Sequence, residues 1–242
     1  MTALPTPSGL LVIDKHEGPT SMSVCRVVRA RLVAGGAPKR VKVGHGGTLD
    51  PLATGLVVVL IGKATPLCDA IMAGEKRYVA EIDLSRLSTT DDREGVITEL
   101  NLFRAPTRED VDRIIPSFIG TIQQRPPAHS AIWVDGTRAY HMARAGEDPN
   151  LPARPVVVHA ISVLEYRFPL LKLDIRCGKG TYIRSLARDL GKALGCGGML
   201  HSLRRTAVGP FTLEGALTLD DIPQPLLQHH LLDPARFLPA PS

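Results

Sequence analysis

The chain has 242 residues, a formal net charge of +5 and a pI near 9.2, with 44% hydrophobic and 22% charged residues. These values are ordinary for a globular protein and allow one large domain or two unequal ones. Apolar runs fall far short of the roughly 20 residues of a membrane-spanning helix. The stretch Leu10–Ile13 is also too short for a signal-peptide core. We therefore expect a cytoplasmic protein with no membrane partner.

Two strands and one helix are predicted in the first third of the chain. Residues 20–33 predict a helix, because apolar side chains share one face, arginines take the other, and Thr20 or Ser21 can cap its start. The short, β-branched run at residues 56–61 favours a buried strand. Residues 76–83 alternate like a half-buried strand.

The rest of the chain gives clearer helix signals than strand signals. Residues 85–95 are polar and predict a loop, and residues 123–155, with five prolines, predict a long loop containing a short helix near 137–145. After about residue 212 the pattern fades. The other predictions are a capping box at Thr107–Asp110 whose helix Pro116 ends early, strands at 156–158 and 171–176, and the clearest helix at 182–194.

Cysteine and aromatic usage narrow the classes of site. The four cysteines are widely spaced, without a Cys-x-x-Cys pair or a histidine at zinc-finger spacing. This predicts reduced, mostly buried thiols and no zinc site. Aromatic residues are only 4% of the chain, which disfavours a long base-stacking platform.

Basic residues form two groups along the sequence. Together they could make one phosphate-binding face if the fold brings them together, although two solvated faces are equally compatible with the pattern. The first group precedes a glycine-rich segment and the second lies in the last third: Arg26, Arg29, Arg31, Lys39, Arg40 and Lys42, then Lys172, Arg176, Lys179, Arg184, Arg188, Lys192, Arg204 and Arg205.

The glycine-rich segment Gly44–Gly55 carries a single acidic residue, Asp50, just before the apolar run. Its glycines permit backbone angles and close approaches that other residues do not. Pro51 pushes Asp50 toward extended geometry, so the carboxylate is presented from a stiff turn. Such a carboxylate can serve as nucleophile, base or metal ligand. The alternative is an Asp-Pro pair that only starts a turn.

A second glycine-rich segment, Cys177–Arg184, leads directly into the predicted helix at 182–194. Neither this segment nor Gly62–Thr65 matches a complete P-loop, so a nucleoside triphosphate site is not predicted. The helix start can attract an anion, with Lys179 and Arg184 adding charge. A solvated helix start is equally compatible. The Arg184 guanidinium could also hold a carboxylate such as Asp50, keeping it ionised.

These segments resemble, in order, the motifs of the bacterial pseudouridine synthases that modify the T-arm of tRNA. The resemblance covers about residues 9–212. Its five motifs are Gly44–Gly55, Lys76–Tyr78, Gln124–Ala131 with Gly136–Tyr140, Cys177–Arg184 with Asp189–Gly191, and Leu203–Gly209.

The resemblance assigns roles residue by residue. Asp50 matches the catalytic aspartate that attacks the nucleoside so that uracil detaches, rotates and rejoins through C5. Tyr78 matches the ring that stacks on the target base and is a candidate for the final proton removal, and Arg184 matches the basic partner of the aspartate. The expected substrate-binding residues are His45, which helps hold the uridine flipped out, then Tyr182 and Leu203, with Lys179 from the anion-binding turn.

The resemblance implies an α/β (α+β) pseudouridine-synthase fold, a curved, mixed and mostly antiparallel sheet flanked by helices with a catalytic cleft. Residues 1–212 would form the catalytic domain, and residues 213–242 a short tail or remnant of the RNA-binding domain of longer members. The expected reaction is isomerisation of uridine 55 in the tRNA T-loop by a monomer, without cofactor, metal or guide RNA. Two alternatives stay open: a tRNA-folding chaperone with secondary catalysis, and a synthase for another RNA hairpin.

Overall fold

The computed structural model describes residues 6–237, which divide into two compact units. One unit contains the residues up to Arg77 and those from Arg204 onward, and the other is Tyr78–Leu203. The chain therefore passes between the units twice, each time within a strand. The predicted domain boundary after residue 212 stays a prediction.

The described residues contain five α-helices and thirteen strands. The helices are α1 (Ser21–Ala34), α2 (Cys68–Ala73), α3 (Arg108–Ile114), α4 (Ala139–Arg144) and α5 (Ile183–Leu194). The strands are β1 (Gly9–Lys15), β2 (Val43–His45), β3 (Thr54–Ile61), β4 (Lys76–Asp83), β5 (Arg86–Ser88), β6 (Ile97–Glu99), β7 (Gly120–Gln124), β8 (Trp133–Val134), β9 (Thr137–Arg138), β10 (Arg154–Arg167), β11 (Leu170–Cys177), β12 (Met199–Val208) and β13 (Phe211–Thr212).

In the first unit, strand β3 is the centre of the sheet. It pairs antiparallel with β1 along the whole of β1, from Gly9 opposite Ile61 to Lys15 opposite Gly55. Strand β2 pairs antiparallel with the last three residues of β3, and β12 pairs in parallel with its first two residues. The apolar side chains of β1 and β3 form the core with Ile71, Val208 and Phe211. Helix α1 packs beside β2.

The second unit is built on a sheet in the order β4, β11, β10, β7. Strands β10 and β11 form a long antiparallel hairpin with two register shifts, and β7 pairs with the start of β10. Helices α3 and α5 pack against each other. The β5–β6 and β8–β9 pairs are separate two-stranded sheets. The strand pairings within the two units are mixed and mostly antiparallel, which confirms the predicted fold class.

Most sequence predictions of elements are confirmed. Helices α1 and α5 and strands β3 and β4 lie where they are predicted, and Thr107 and Asp110 form the capping box of α3, which ends before Pro116. Short helix α4 lies within the predicted long loop. Three of the four cysteines are buried, and all four are free.

Two predictions of elements are incomplete, and two strands are missed. The predicted loop at residues 85–95 includes strand β5, and strand β10 is much longer than the predicted run of valines. Strands β1 and β12 are not predicted. The chain after residue 212 forms few regular elements but is held to β1, because Leu217 N–H donates to Val12 O at 3.0 Å and Leu10 pairs with Leu232. Within residues 6–237 no helix is long and apolar enough to span a membrane.

Candidate functional site

Asp50 lies in the connection between β2 and β3, within the predicted glycine-rich segment. The connection is a tight loop in which Ala53 N–H donates to Asp50 O at 3.1 Å, and Asp50 itself is half-buried. Gly47 has φ +128° and Gly55 has φ +100°, conformations that L-residues with side chains rarely adopt. A Cβ at Gly46 would lie 2.4 Å from the Ile71 side chain. The glycines are therefore needed for backbone angle and close packing.

The loop backbone on both sides of Asp50 is held by hydrogen bonds to Ser21, Lys15 and Gly18. The Ser21 hydroxyl, at the start of α1, accepts from Leu49 N–H at 2.8 Å and donates to Leu49 O at 3.2 Å. Pro51 O accepts from Gly18 N–H at 2.9 Å and from the Lys15 ammonium at 3.2 Å. Lys15 is fully buried. The residues before and after Asp50 are thus held in place by hydrogen bonds.

Arg205 differs from the other members of the two basic groups, for which one phosphate-binding face or two solvated faces were the alternatives. It is only 2% exposed, so it does not belong to a solvated phosphate-binding surface. Its guanidinium donates to the carbonyls of Leu56, Thr48 and Gly47, at 2.8, 3.0 and 3.1 Å. Arg29 is also half-buried and donates to backbone carbonyls. Exposed members of the two groups include Arg26, Lys39, Arg40, Lys42, Arg176, Lys179 and Lys192.

His45 ends β2 and precedes the loop. Its backbone carbonyl accepts from the Cys68 thiol at 3.3 Å, and its Nδ1 is buried without a hydrogen-bond partner within the described part of the chain. Burial lowers the pKa of His45, and the nearby positive charge of Arg205 lowers it further. The imidazole is therefore held toward its neutral form.

Arg184 lies in the first turn of α5, in the second unit, and is 7% exposed. Its Nη1 is 3.4 Å from an Asp92 carboxylate oxygen and donates to Thr90 O at 3.3 Å. Its Nη2 donates to His129 O at 3.0 Å. The predicted partner Asp50 stays a prediction. Asp92 is an acidic partner that the sequence did not indicate, because it lies in the polar stretch interpreted as a loop.

Asp92 is itself firmly positioned. It is 2% exposed, and one carboxylate oxygen accepts from the Thr90 hydroxyl at 2.5 Å and from Glu94 N–H at 3.0 Å. The other oxygen faces Arg184. The carboxylate therefore fixes the guanidinium as well as balancing its charge.

Tyr182 caps the start of α5 and is fixed through its backbone. The Gln124 side-chain amide accepts from Tyr182 N–H at 2.8 Å and donates to Tyr182 O at 3.1 Å. The Arg154 guanidinium lies 5.6 Å from the centre of the Tyr182 ring and donates to Gly180 O at 3.0 Å. Lys179 is exposed in the same turn. The contacts of Gln124 and Arg154 with this turn were not predicted from the sequence, although Gln124 begins one of the five motifs.

The predicted site residues fall in both units. His45 and Asp50 belong to the first unit, on the β2–β3 connection. Tyr78, in β4, and Leu203, in β12, are each 8% exposed and belong to the second unit, as do the three predicted residues at the start of α5. No group of three His, Cys, Asp or Glu side chains suited to a metal ion occurs in the described ranges. The first unit thus presents a positioned carboxylate, a group suited to covalent catalysis.

Two family models together match residues 36–235. Residues 36–183 match the model of the TruB family pseudouridylate synthase (N terminal domain), and residues 184–235 match that of the tRNA pseudouridylate synthase B C-terminal domain. A tRNA pseudouridine synthase B from Arthrobacter sp. (strain FB24) is 45% identical over 96% of this chain and 76% of its own length. Another, from Corynebacterium efficiens, is 47% identical over 89% of this chain and 72% of its own length.

Solved structures give the same fold. A chain in the crystal structure of a Cbf5-Nop10-Gar1 complex is 31% identical, with a TM-score of 0.68 over 88% of this chain and 53% of that one. A chain in the structure of an H/ACA RNP bound to a substrate RNA containing 2'-deoxyuridine is 29% identical, with a TM-score of 0.65 over 88% of this chain and 52% of that one.

Proposed function

Because this chain belongs to the TruB family of pseudouridylate synthases, we propose that it modifies uridine 55 of the tRNA T-loop with Asp50 as its nucleophile. At the level of the family it is a tRNA pseudouridine synthase, an isomerase that converts uridine into pseudouridine in tRNA. The observation that carries the proposal is the stiff β2–β3 connection, which fixes one carboxylate between anchored neighbours. The matched family model contains this connection.

The reaction breaks one bond and makes another within a single nucleotide. The bond between ribose C1′ and uracil N1 breaks, the base turns, and a bond from C1′ to C5 forms. C5 then loses its proton and N1 gains one, so no electrons are exchanged with a cofactor. A carboxylate can drive this by attack at the ribose, by attack at the base, or by elimination to a glycal, and Asp50 serves in each route.

The target uridine must leave its stack before a carboxylate can reach it. We assign the stacking role to Tyr78 and the holding of the extruded nucleotide to His45, with Tyr182 and Leu203 as further contacts. The fixed backbone of Tyr182 and the neutral tendency of His45 support these roles. A neutral imidazole can both accept and donate a hydrogen bond. Tyr78 is also our candidate for the final removal of the C5 proton.

Arg184 is proposed to keep Asp50 ionised and oriented. A guanidinium has five N–H donors in a rigid fork, so it can serve Asp92, two backbone carbonyls and a second carboxylate. Its fixed placement by Asp92, Thr90 and His129 supports this role. Arg184 would then act on a reacting group from a rigid support.

The RNA partner is proposed to be the tRNA T-arm, bound by a monomer in the cytoplasm without a guide RNA. The identity to tRNA pseudouridine synthase B relatives, 45 to 47%, exceeds the 31% to the chain in the Cbf5-Nop10-Gar1 complex, which supports independence from a guide. The exposed basic residues, with Lys179 at the start of α5, are proposed to contact RNA phosphates. Residues 213–242 would add only a remnant of an RNA-binding domain.

Mapping pseudouridine across total RNA tests the substrate assignment. RNA from cells lacking the endogenous enzyme is incubated with the protein, and pseudouridine is mapped at single-nucleotide resolution. We expect new sites at tRNA position 55, and none when uridine 55 of a transcript is replaced by cytidine. Modification confined to another hairpin would contradict the proposal. Refolding of misfolded tRNA at equal rates by wild type and Asp50→Asn, with no pseudouridine formed by wild type, would favour the chaperone alternative.

A further inference from the structure

We infer that Arg205 is a positioning residue for catalysis: its buried guanidinium clamps both ends of the loop that carries Asp50. This inference rests on the proposed role of Asp50. Only 2% of Arg205 is exposed, and its guanidinium donates to two carbonyls of the loop and to one at the start of β3. The sequence pattern left open whether this arginine lies on a phosphate-binding face or on a solvated one, and its burial fits neither.

The three hydrogen bonds enclose the catalytic residue along the chain. Gly47 O and Thr48 O precede Asp50, and Leu56 O follows it. One rigid, planar group thus ties the entry and the exit of the loop to each other. A change in the position of this group would move both ends of the loop together.

The strand arrangement brings Arg205 to this place. Strand β12 pairs in parallel with the start of β3, with Arg204 opposite Thr54 and Arg205 opposite Gly55. A Cβ at Gly55 would lie 2.2 Å from Arg205 O, so only glycine lets the strands approach this closely. Gly55 and Arg205 therefore depend on each other. The glycine allows β12 to pack close to β3, and this packing places the Arg205 side chain against the loop.

Lysine cannot reproduce the clamp. Its ammonium is a compact charge at the end of a flexible stem, whereas three carbonyls bound through Nε, Nη1 and Nη2 require a planar fork. Arg205→Lys keeps the positive charge and most of the side-chain volume. It therefore tests the geometry of the clamp rather than the presence of a cation.

The decisive experiment compares Arg205→Lys with wild type under single-turnover conditions, with enzyme in excess over tRNA. We expect the rate of pseudouridine formation to fall about 100-fold, as small misplacements of a reacting group do, while tRNA affinity by filter binding stays unchanged. Val28→Ala, a buried α1 substitution, is the matched control for lost stability. It should lower the melting temperature and leave the rate unchanged at a temperature where both variants are folded.

Local amide hydrogen exchange distinguishes a loosened loop from a general loss of stability. Exchange in the peptide spanning residues 46–56 should accelerate in Arg205→Lys and not in Val28→Ala. If Arg205→Lys does not fold, Arg205→Gln, which retains two donors, takes its place with the same expectations. A wild-type rate in the folded variant, or a rate loss equal to that of Val28→Ala, would overturn the inference. Asp50→Asn is measured in parallel: if it is active the proposed nucleophile is wrong, whereas an inactive Asp50→Asn beside a normal Arg205→Lys refutes only the clamp.

Discussion

Replacement of Ser21 by alanine should both destabilise the first unit and loosen the loop that carries Asp50. The Ser21 hydroxyl is the partner of both backbone polar groups of Leu49, and the two residues are 2% and 3% exposed. Removing it leaves one buried N–H and one buried C=O to find other partners. Each lost buried partner costs about 1–3 kcal/mol. The space left by one oxygen atom is too small to admit a water freely.

We therefore expect Ser21→Ala to lower the free energy of unfolding by about 2–6 kcal/mol. Ser23→Ala is the matched control in the same helix. The Ser23 hydroxyl donates to Thr20 O at 2.8 Å at the partly exposed helix start, and its loss should cost about 0.5–1 kcal/mol. The two variants remove the same atom from the same kind of residue.

Urea unfolding followed by far-UV circular dichroism measures both variants. Tryptophan fluorescence is unsuitable, because the single tryptophan, Trp133, belongs to the other unit. Amide exchange at Leu49 gives an independent local measurement and should accelerate only in Ser21→Ala. Equal unfolding free energies for Ser21→Ala and Ser23→Ala, with unchanged exchange at Leu49, would refute the reasoning that this hydroxyl anchors the loop.

Three further predictions concern the glycine, the ion pair and the histidine of the candidate site. Gly55→Ala should prevent stable folding, because the φ of Gly55 is +100° and a Cβ there would lie 2.2 Å from Arg205 O. A Cβ at Gly44 meets open space, so the control Gly44→Ala should have a melting temperature close to that of wild type. Similar melting temperatures for the two variants would contradict this prediction. Asp92→Asn should cost about 3 kcal/mol in urea unfolding, because it removes the carboxylate charge that lies 3.4 Å from the buried Arg184 guanidinium. An unchanged unfolding midpoint would argue against a stabilising Arg184–Asp92 ion pair. Folding lowers the pKa of His45 from 6.5, so on acidification the unfolded chain takes up a proton before the folded chain does, and the folded state loses stability as the pH falls below 6.5. His45→Gln should therefore lose less stability than wild type between pH 7.5 and 5.5. An identical loss in both proteins would contradict this prediction.

The sequence predicts the elements whose apolar residues form a helical repeat or a continuous β-branched run. Helices α1 and α5 carry apolar side chains on one face, and strand β3 is a short β-branched run buried along most of its length. Pro116 correctly ended the helix that Thr107 caps. Local chemistry decides these features, so one sequence contains enough information to predict them.

Strands β1 and β12 were missed because their patterns are weak by themselves. The run Leu10–Ile13 is a short apolar stretch that becomes a strand through its pairing with β3. Strand β12 contains two adjacent arginines, which indicate a surface by composition. Their burial or exposure depends on strand pairing with residues about 150 positions earlier in the chain.

The sequence could predict a candidate site residue that lies in a recognisable motif. It could not predict one whose role depends on a contact with a residue distant in sequence. Asp50 stands in a glycine-rich segment that is distinctive in sequence. By contrast, Arg205 and Asp92 take their roles from distant partners: loop carbonyls for the arginine, and Arg184 for the aspartate. Polar residues of this kind resemble ordinary surface residues until the fold places them.

The most direct test of the account is pseudouridine formation by Asp50→Asn on tRNA under single-turnover conditions. Asparagine keeps the shape of the side chain and removes the carboxylate, and Asp69→Asn, on the exposed start of α2, is the control. Tritium released from C5 of the target uridine reports bond exchange, and filter binding reports tRNA affinity. We expect tRNA binding without tritium release for Asp50→Asn, and wild-type release for Asp69→Asn. Release by Asp50→Asn at the wild-type rate would contradict it.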